Sequence, residues 1–427
     1  MRHKVDEVVL KNGGRGLLVN VPGATTFSMR LDFRAGHDYV KSKEIFETPH
    51  VMEHLMFDAV KGYKSKREFD QVFTKNGAYR NAFTDNWSIG YFTVCADFEW
   101  ERVFELTRLM VSSPSFLESD LASELGTVKT ELTGYQNDYR WLLGVALDQA
   151  MGLDTPSLEE EVGSLGAIDI EAIREHYKRT HTMENMRFII SGDLDKKPNI
   201  VQEMERLGLG HGDKRFDIVK KDARGEERPV LVQRADAKNL TFRFKWEIPR
   251  AMTDEELVAV DVLDNILTET LTSRIFGVAR DRGIVYGMGS WETRGIYETS
   301  WNIGGEVNYE NAEELCGLIA SELKSVLAGG ISDEEVAAAK DYKLGGFQMR
   351  ELTASNIPAH YANKYFAIGE ISDIEAFPRM VKAVKEEEII ALAREFLSSD
   401  VKVFGGLGNV DQEYMDKLGK IIKEGMN

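Results

Sequence analysis

The sequence predicts an α+β fold made of two homologous halves, each an antiparallel sheet flanked by helices. Three observations carry that reading: short segments with period-two alternation, long amphipathic helical stretches between them, and a recurrence of the pattern half a chain later. Met29-Arg30-Leu31-Asp32-Phe33 alternates apolar and polar side chains like a half-buried strand, and Phe242-Arg243-Phe244-Lys245-Trp246 does the same in the second half. Each half then closes with a strand that runs into a glycine turn. These are Met186 to Asp193, which includes Gly192, and Val401 to Asn409, which includes Gly408. The interval from Met29 to Phe242 nearly equals that from Gly192 to Gly408, and two matched offsets mark a tandem duplication. The charged stretch 213–228, followed by Pro229, reads as an exposed linker between domains at 1–212 and 229–427.

Length and composition agree. A chain of 427 residues exceeds one ordinary core and suits two domains. A content of 43% hydrophobic and 29% charged residues is that expected of a soluble globular protein. No apolar run reaches the roughly 18 residues of a membrane span. A formal charge of −18 argues against nucleic acid as a partner, because phosphate binding needs concentrated Lys and Arg. Cys95 and Cys316 sit in apolar contexts and do not make a disulfide framework. The N-terminal residues have no apolar signal core, so the cytoplasm is the expected compartment.

The sharpest local signal is His50-Val51-Met52-Glu53-His54. On a helix, residues i and i+4 share a face, so both imidazoles can bind one ion, and Glu53 reaches the same side. Histidine occurs only eight times, so a chance match of this kind arises in roughly one chain in a hundred. Val51, Met52, Leu55, Met56 and Phe57 make the surroundings apolar, and burying imidazoles with a carboxylate is costly unless they pair or hold a metal. Thr48-Pro49 supplies a helix start, with Thr48 as N-cap and Pro49 as the first helical residue. The order H-x-x-E-H is that of the inverted zincins, which use zinc for hydrolysis. The corresponding helix of the second half, around Val258 to Leu267, has no histidine, so one metal per chain is expected.

Two histidines leave zinc short of a ligand, and the third must come from another element. The run Glu118 to Tyr139 reads as a helix with an apolar stripe at Leu121, Leu125, Val128 and Leu132. Glu124 and Glu131 are two turns apart and share a face; the pattern alone does not choose between them.

With Glu131 a long interval downstream of His54, and Glu124 two turns before it, the arrangement resembles the M16 (pitrilysin/insulinase-type) metallopeptidases, in the processing-peptidase-like branch. The resemblance implies that Glu131 is the third zinc ligand and that Glu124 orients a ligand histidine. Gly77-Ala78-Tyr79-Arg80-Asn81-Ala82-Phe83-Thr84 resembles the family's N-A-[YF]-T edge strand, which makes Asn81, Ala82 and Phe83 substrate-binding candidates. Ser273-Arg274-Ile275-Phe276 leading to Arg280-Asp281-Arg282-Gly283-Ile284-Val285-Tyr286 resembles the family's S-R-L-F … R-E-K-x-G-L-x-Y segment. It implies substrate contacts from Tyr286 and Arg280. The Arg-to-Tyr interval is one shorter than in many relatives, which leaves Arg282 as a competing arginine. The other histidines (His3, His37, His176, His181, His211, His360) lie in no ligand spacing and read as structural or surface residues.

The resemblance therefore implies the metallohydrolase fold of the M16 peptidases, with the halves closing around a chamber. It also implies one Zn2+ per chain and zinc-dependent endopeptidase activity on peptides or unfolded segments, with Glu53 as general base. A homodimer is expected, a heterodimer is the alternative, and neither nucleic acid nor membrane is expected as a partner. The competing function is a metal-bearing subunit of a heteromeric processing or binding complex with little activity alone.

Overall fold

The computed structural model describes residues 3–58, 60–350 and 353–426. The chain forms two compact units, each drawn from several segments. The first comprises Met1–Gly134, Leu158–Val219 and Glu351–Ser372; the second comprises Tyr135–Ser157, Lys220–Arg350 and Asp373–Asn427. Each unit contains residues from both sides of the linker segment. Of that segment itself, 213–219 groups with the first unit and 220–228 with the second. It also carries a packed residue, since the Phe216 ring stacks on Tyr39 at 5.4 Å.

In the first unit, β1 (Lys4–Val9), β2 (Arg15–Asn20), β3 (Thr26–Phe33), β4 (Tyr79–Thr84), β5 (Ile89–Ala96) and β6 (Met186–Gly192) form a six-stranded sheet in the order β1-β2-β6-β3-β5-β4. Four of its pairings are antiparallel, and β2 and β6 run parallel. The alternation of β3 sets its two faces. Phe27, Met29, Leu31 and Phe33 are buried against helices on one side, and Ser28, Arg30 and Asp32 point to the other. That second face is covered by the helix Ile357–Ile368, which is distant in sequence. Phe366 lies 5.0 Å from the Arg30 guanidinium, and Ser28 Oγ donates to the Ala354 carbonyl at 2.8 Å.

In the second unit, β7 (Val230–Gln233), β8 (Leu240–Ile248), β9 (Val285–Arg294), β10 (Thr299–Val307) and β11 (Lys402–Gly408) form a five-stranded sheet in the order β7-β11-β8-β10-β9. Without β1, the first sheet reads β2-β6-β3-β5-β4 and matches the second strand for strand, including its one parallel pair, β7 with β11. The offsets between the two halves thus reflect a repeated topology. Phe244, Trp246, Trp301 and Phe396 centre the helix-side core of this unit. The opposite sheet face takes α5 (Tyr139–Ala150), whose Leu143 and Leu147 bury against Val403 and Leu407. Asp148 of α5 pairs with Lys245 of β8 at 2.9 Å.

Four helices of the first unit precede α5: α1 (Thr48–Met56), α2 (Lys66–Phe73), α3 (Trp100–Ser112) and α4 (Glu118–Gly134). The expected single helix from Glu118 to Tyr139 is broken. It ends at Gly134, a short 3-10 turn follows, and the Asp138 carboxylate caps α5 by accepting from the Arg140 and Trp141 amides at 3.1 and 3.0 Å. No helix among the described residues is long and apolar enough to cross a membrane.

Candidate metal centre

The centre rests on α1. Its N-cap is Glu47 rather than Thr48, whose hydroxyl instead donates to the Ile45 carbonyl at 2.7 Å; Pro49 still lies in the first turn. Val51, Met52, Leu55 and Met56 are fully buried and fix the helix, each contributing about 1.5–3 kcal/mol of apolar burial. Their burial turns His50, Glu53 and His54 together toward α4.

There His50 Nε2 and His54 Nε2 stand 3.6 and 3.5 Å from one oxygen of Glu131, and the three groups are placed to hold a single ion. Each imidazole presents Nε2 because its Nδ1 is occupied. His50 Nδ1 bonds Glu47 Oε2 at 2.9 Å, and His54 Nδ1 bonds Glu124 Oε2 at 3.1 Å. A carboxylate behind each ring sets tautomer and orientation, an arrangement typical of metal-binding histidines. Four-coordinate zinc with bonds of about 2.1 Å places its ligand atoms roughly 3.4 Å apart. The two His–Glu131 separations fit that geometry.

Glu53 occupies the remaining part of this face, and one of its oxygens accepts from the Thr84 hydroxyl of β4 at 2.6 Å. Burial raises its pKa, opposed by the Thr84 bond and the two histidines. Burial also works against ionised Glu47, yet bonds to His37 and His50 outweigh it and hold that carboxyl down at about 2. Burial and repulsion from Glu47 push nearby Glu161 up to about 8. So many carboxylates around two imidazoles suit a cation.

The sequence reading missed Glu47 and Thr84 and set His37 aside. His37 Nε2 lies 3.6 Å from Glu47 and its ring stacks on Phe46, so it adjoins the centre through Glu47. The three-residue interval from Glu47 to His50 was a readable helical spacing, although Glu47 stands before a proline and outside the motif. The Thr84–Glu53 contact carries no local signal. Lys66 holds Glu124 from behind, 3.7 Å from its other oxygen, and also bonds Asp58.

Asn81, Ala82 and Phe83 lie on β4, an edge of the first sheet, hydrogen-bonded to β5 on one side. The Asn81 carboxamide caps the Ala82 amide at 3.0 Å, and Phe83 packs under the Arg30 guanidinium at 4.9 Å. In the second unit Tyr286 stands at the start of β9 with 87% of its surface exposed. The Arg280 guanidinium stacks on its ring at 4.4 Å and donates to its carbonyl. Arg282 instead pairs with Glu314 at 3.1 Å.

The site is a candidate three-ligand metal centre, and comparison with known proteins gives the family. The profile "Insulinase (Peptidase family M16)" matches residues 16–155, and "Peptidase M16 inactive domain" matches 167–342. The chain belongs to the M16 peptidase family. It is similar to the "Uncharacterized zinc protease YmxG" of Bacillus subtilis, 22% identical over 399 residues, covering 91% of this chain and 95% of that protein. Its fold is similar to a "peptidase M16 inactive domain" protein from Pseudomonas fluorescens, with a TM-score of 0.81 at 18% identity over 96% of this chain and 98% of that one. A "putative M16-like peptidase" from Alicyclobacillus acidocaldarius gives a TM-score of 0.79 at 17% identity over 95% and 98%.

Proposed function

We propose that this chain is a zinc-dependent metalloendopeptidase that cleaves peptides or unfolded segments. One observation carries the proposal: two imidazoles and a carboxylate converge at tetrahedral ligand spacing, with a carboxylate fixing each ring from behind. His50, His54 and Glu131 hold the metal, one Zn2+ per chain, and Glu124 and Glu47 orient the histidines. When bound there, zinc supplies Lewis acidity toward water and the scissile carbonyl.

The remaining chemistry falls to the chain's own groups. Glu53 accepts the proton of the attacking water and passes it to the leaving amine, acting as base and then acid. Thr84 holds Glu53 at a fixed angle to the β4 edge. The outer edge of β4 takes an extended peptide as an added strand, with main-chain bonds giving affinity and Asn81, Ala82 and Phe83 flanking its side chains. Tyr286, with Arg280 stacked on it, is proposed to contact substrate; Arg282 is assigned to its ion pair with Glu314.

Measured zinc content together with cleavage of quenched peptides tests the reading. Glu53→Gln is expected to retain zinc and lose at least about a hundredfold in kcat. Unchanged hydrolysis with zinc bound removes Glu53 as base. No hydrolysis by the zinc-loaded parent favours the alternative, a metal-bearing subunit of a heteromeric complex. The working assembly is proposed to be a cytoplasmic homodimer, to be checked by sedimentation and fractionation. The free, buried state of Cys95 and Cys316 fits a reducing compartment.

A further inference from the structure

The second unit contains a cavity of about 550 Å3 on the sheet face beside α5. Its floor is glycine: Gly287 and Gly289 of β9 and Gly304 of β10 share that face, and Gly289 lies opposite Gly304 in register. A side chain added at Gly287 or Gly289 meets nothing within 4 Å, so the cavity is open above the backbone. Its walls include Arg243 of β8, Trp291 of β9 and Arg140 of α5, and no acidic residue lines it among the described residues.

In a chain of net charge −18, a cavity whose lining holds guanidinium groups and no carboxylate needs an account, above all at Arg243. The first unit supplies the contrast. Arg30, the counterpart of Arg243 in the repeated strand, also lies under an aromatic ring, but Asp32 grips it at 3.0 and 2.9 Å and neutralises it. In the second unit, Asn302 takes the place of an acid. Its Oδ1 accepts from Arg243 Nε and Nη2 at 3.0 and 2.8 Å. Asn302 is fully buried and braced by the Trp291 carbonyl and the Ser300 hydroxyl, at 3.3 and 3.4 Å. A neutral acceptor therefore aims the guanidinium without cancelling its charge, while the Trp291 ring packs on it at 5.2 Å. One cavity arginine is already paired, Arg140 with Glu306 at 3.5 Å, and Asp148, the acid whose charge reaches Arg243, is hydrogen-bonded to Lys245 at 2.9 Å. A half-buried arginine with no carboxylate bonded to it is a ready partner for a ligand's carboxylate.

We propose that this cavity binds the C-terminal carboxylate of a peptide, with Arg243 as the anion's partner, the glycine floor admitting the peptide main chain against the sheet, and Trp291 packing on an apolar last residue. The volume lies in the range of small-ligand sites and suits the last two or three residues of a peptide. The proposal rests on the peptidase reading for the nature of the ligand. It makes the second unit a carboxylate anchor that favours free chain ends over internal segments or amides.

The test uses the full-length Glu53→Gln chain, which keeps the peptide intact. An N-terminally labelled hexapeptide ending in Phe is titrated as the free acid and as the C-terminal amide, read by fluorescence anisotropy. The free acid is expected to bind roughly ten- to a hundredfold more tightly, the scale of one charge-assisted bond pair. In Arg243→Gln the ratio falls to about one. Equal affinities in the parent, or a ratio that survives Arg243→Gln, overturn the proposal. Independently of any variant's folding, a photoreactive phenylalanine analogue at the penultimate position of the free acid is expected to cross-link within Val285–Arg294; cross-links recovered elsewhere overturn it. Failure of the peptidase reading shows separately, as absent hydrolysis by the zinc-loaded parent, while the cross-link still decides the anchor.

Discussion

Glu47→Gln is the most informative single change, because it alters one charge behind the metal centre and almost no shape. Glu47 is 2% exposed, and its Oε2 meets His50 Nδ1 at 2.9 Å. Glutamine still accepts that bond, but as a neutral group. Charged hydrogen bonds contribute about 1.5–3 kcal/mol against about 0.5–1.5 for neutral ones, so roughly 1–1.5 kcal/mol of support for His50 is lost. That converts to about a tenfold weaker zinc affinity, the lower end of the effect usual for groups orienting metal ligands. Glu124→Gln is expected to act in the same direction and less strongly, because its bond to His54 is longer, 3.1 Å, and Lys66 already shares its charge. The assay is competition with a chromophoric zinc chelator, with the thermal midpoint of the zinc-free chain measured alongside. Zinc affinity within twofold of the parent, at an unchanged midpoint, refutes the role given to Glu47.

Other perturbations probe other links. Thr84→Val removes the 2.6 Å donor that fixes Glu53; kcat is expected to fall about tenfold with zinc stoichiometry retained, and an unchanged kcat removes Thr84 from the site. Tyr286→Phe is expected to lower kcat/KM about tenfold without shifting the thermal midpoint, since the side chain is almost wholly exposed; unchanged kinetics remove it from substrate contact. Asp264 is buried beneath the second sheet and accepts from Trp301 Nε1 at 2.8 Å. Burial pushes its carboxyl from the ordinary 3.8 up to about 8. Between those values the folded state holds a proton that the unfolded state has released, so stability falls by a few kcal/mol as pH rises from about 4 to 8. Asp264→Asn is expected to flatten that slope in urea titrations, and a slope equal to the parent's counts against the raised pKa. A fragment ending at 212 lacks the helix Ile357–Ile368, whose Ile357, Tyr361, Tyr365 and Phe366 are buried in the first unit. It is expected to lose cooperative unfolding, and a sharp transition in that fragment disproves the need for the helix.

Much of the centre was legible because helical geometry is local. His50, Glu53 and His54 share a face through i, i+3 and i+4 spacing, and two turns of α4 align Glu124 with Glu131. The resemblance chose between those glutamates, and in the structure a Glu131 oxygen lies 3.6 and 3.5 Å from the two Nε2 atoms, while Glu124 bonds His54 Nδ1. The repeated strands were legible because alternation in Met29–Phe33 and Phe242–Trp246 reports one buried sheet face. The break at Gly134 was signalled by a glycine and by the capping Asp138, but the apolar stripe of α4 outweighed both. Thr84 against Glu53, and Asn302 in the place of an acid beside Arg243, depend on strand register across long intervals. No window of sequence encodes those pairings.

The exchange of helices between the two halves of the chain also bears on synthesis. The first sheet is complete in sequence by Gly192, but the helix that covers its second face ends only at Ile368, most of the second half later. At about 5–20 residues per second, a ribosome takes roughly 10–35 s to supply it. During that interval Ser28, Arg30 and Asp32 have no lid, and α5 waits in turn for β8 and β11. The nascent chain therefore emerges with an unfinished first unit, and both units close late, within the same stretch of translation.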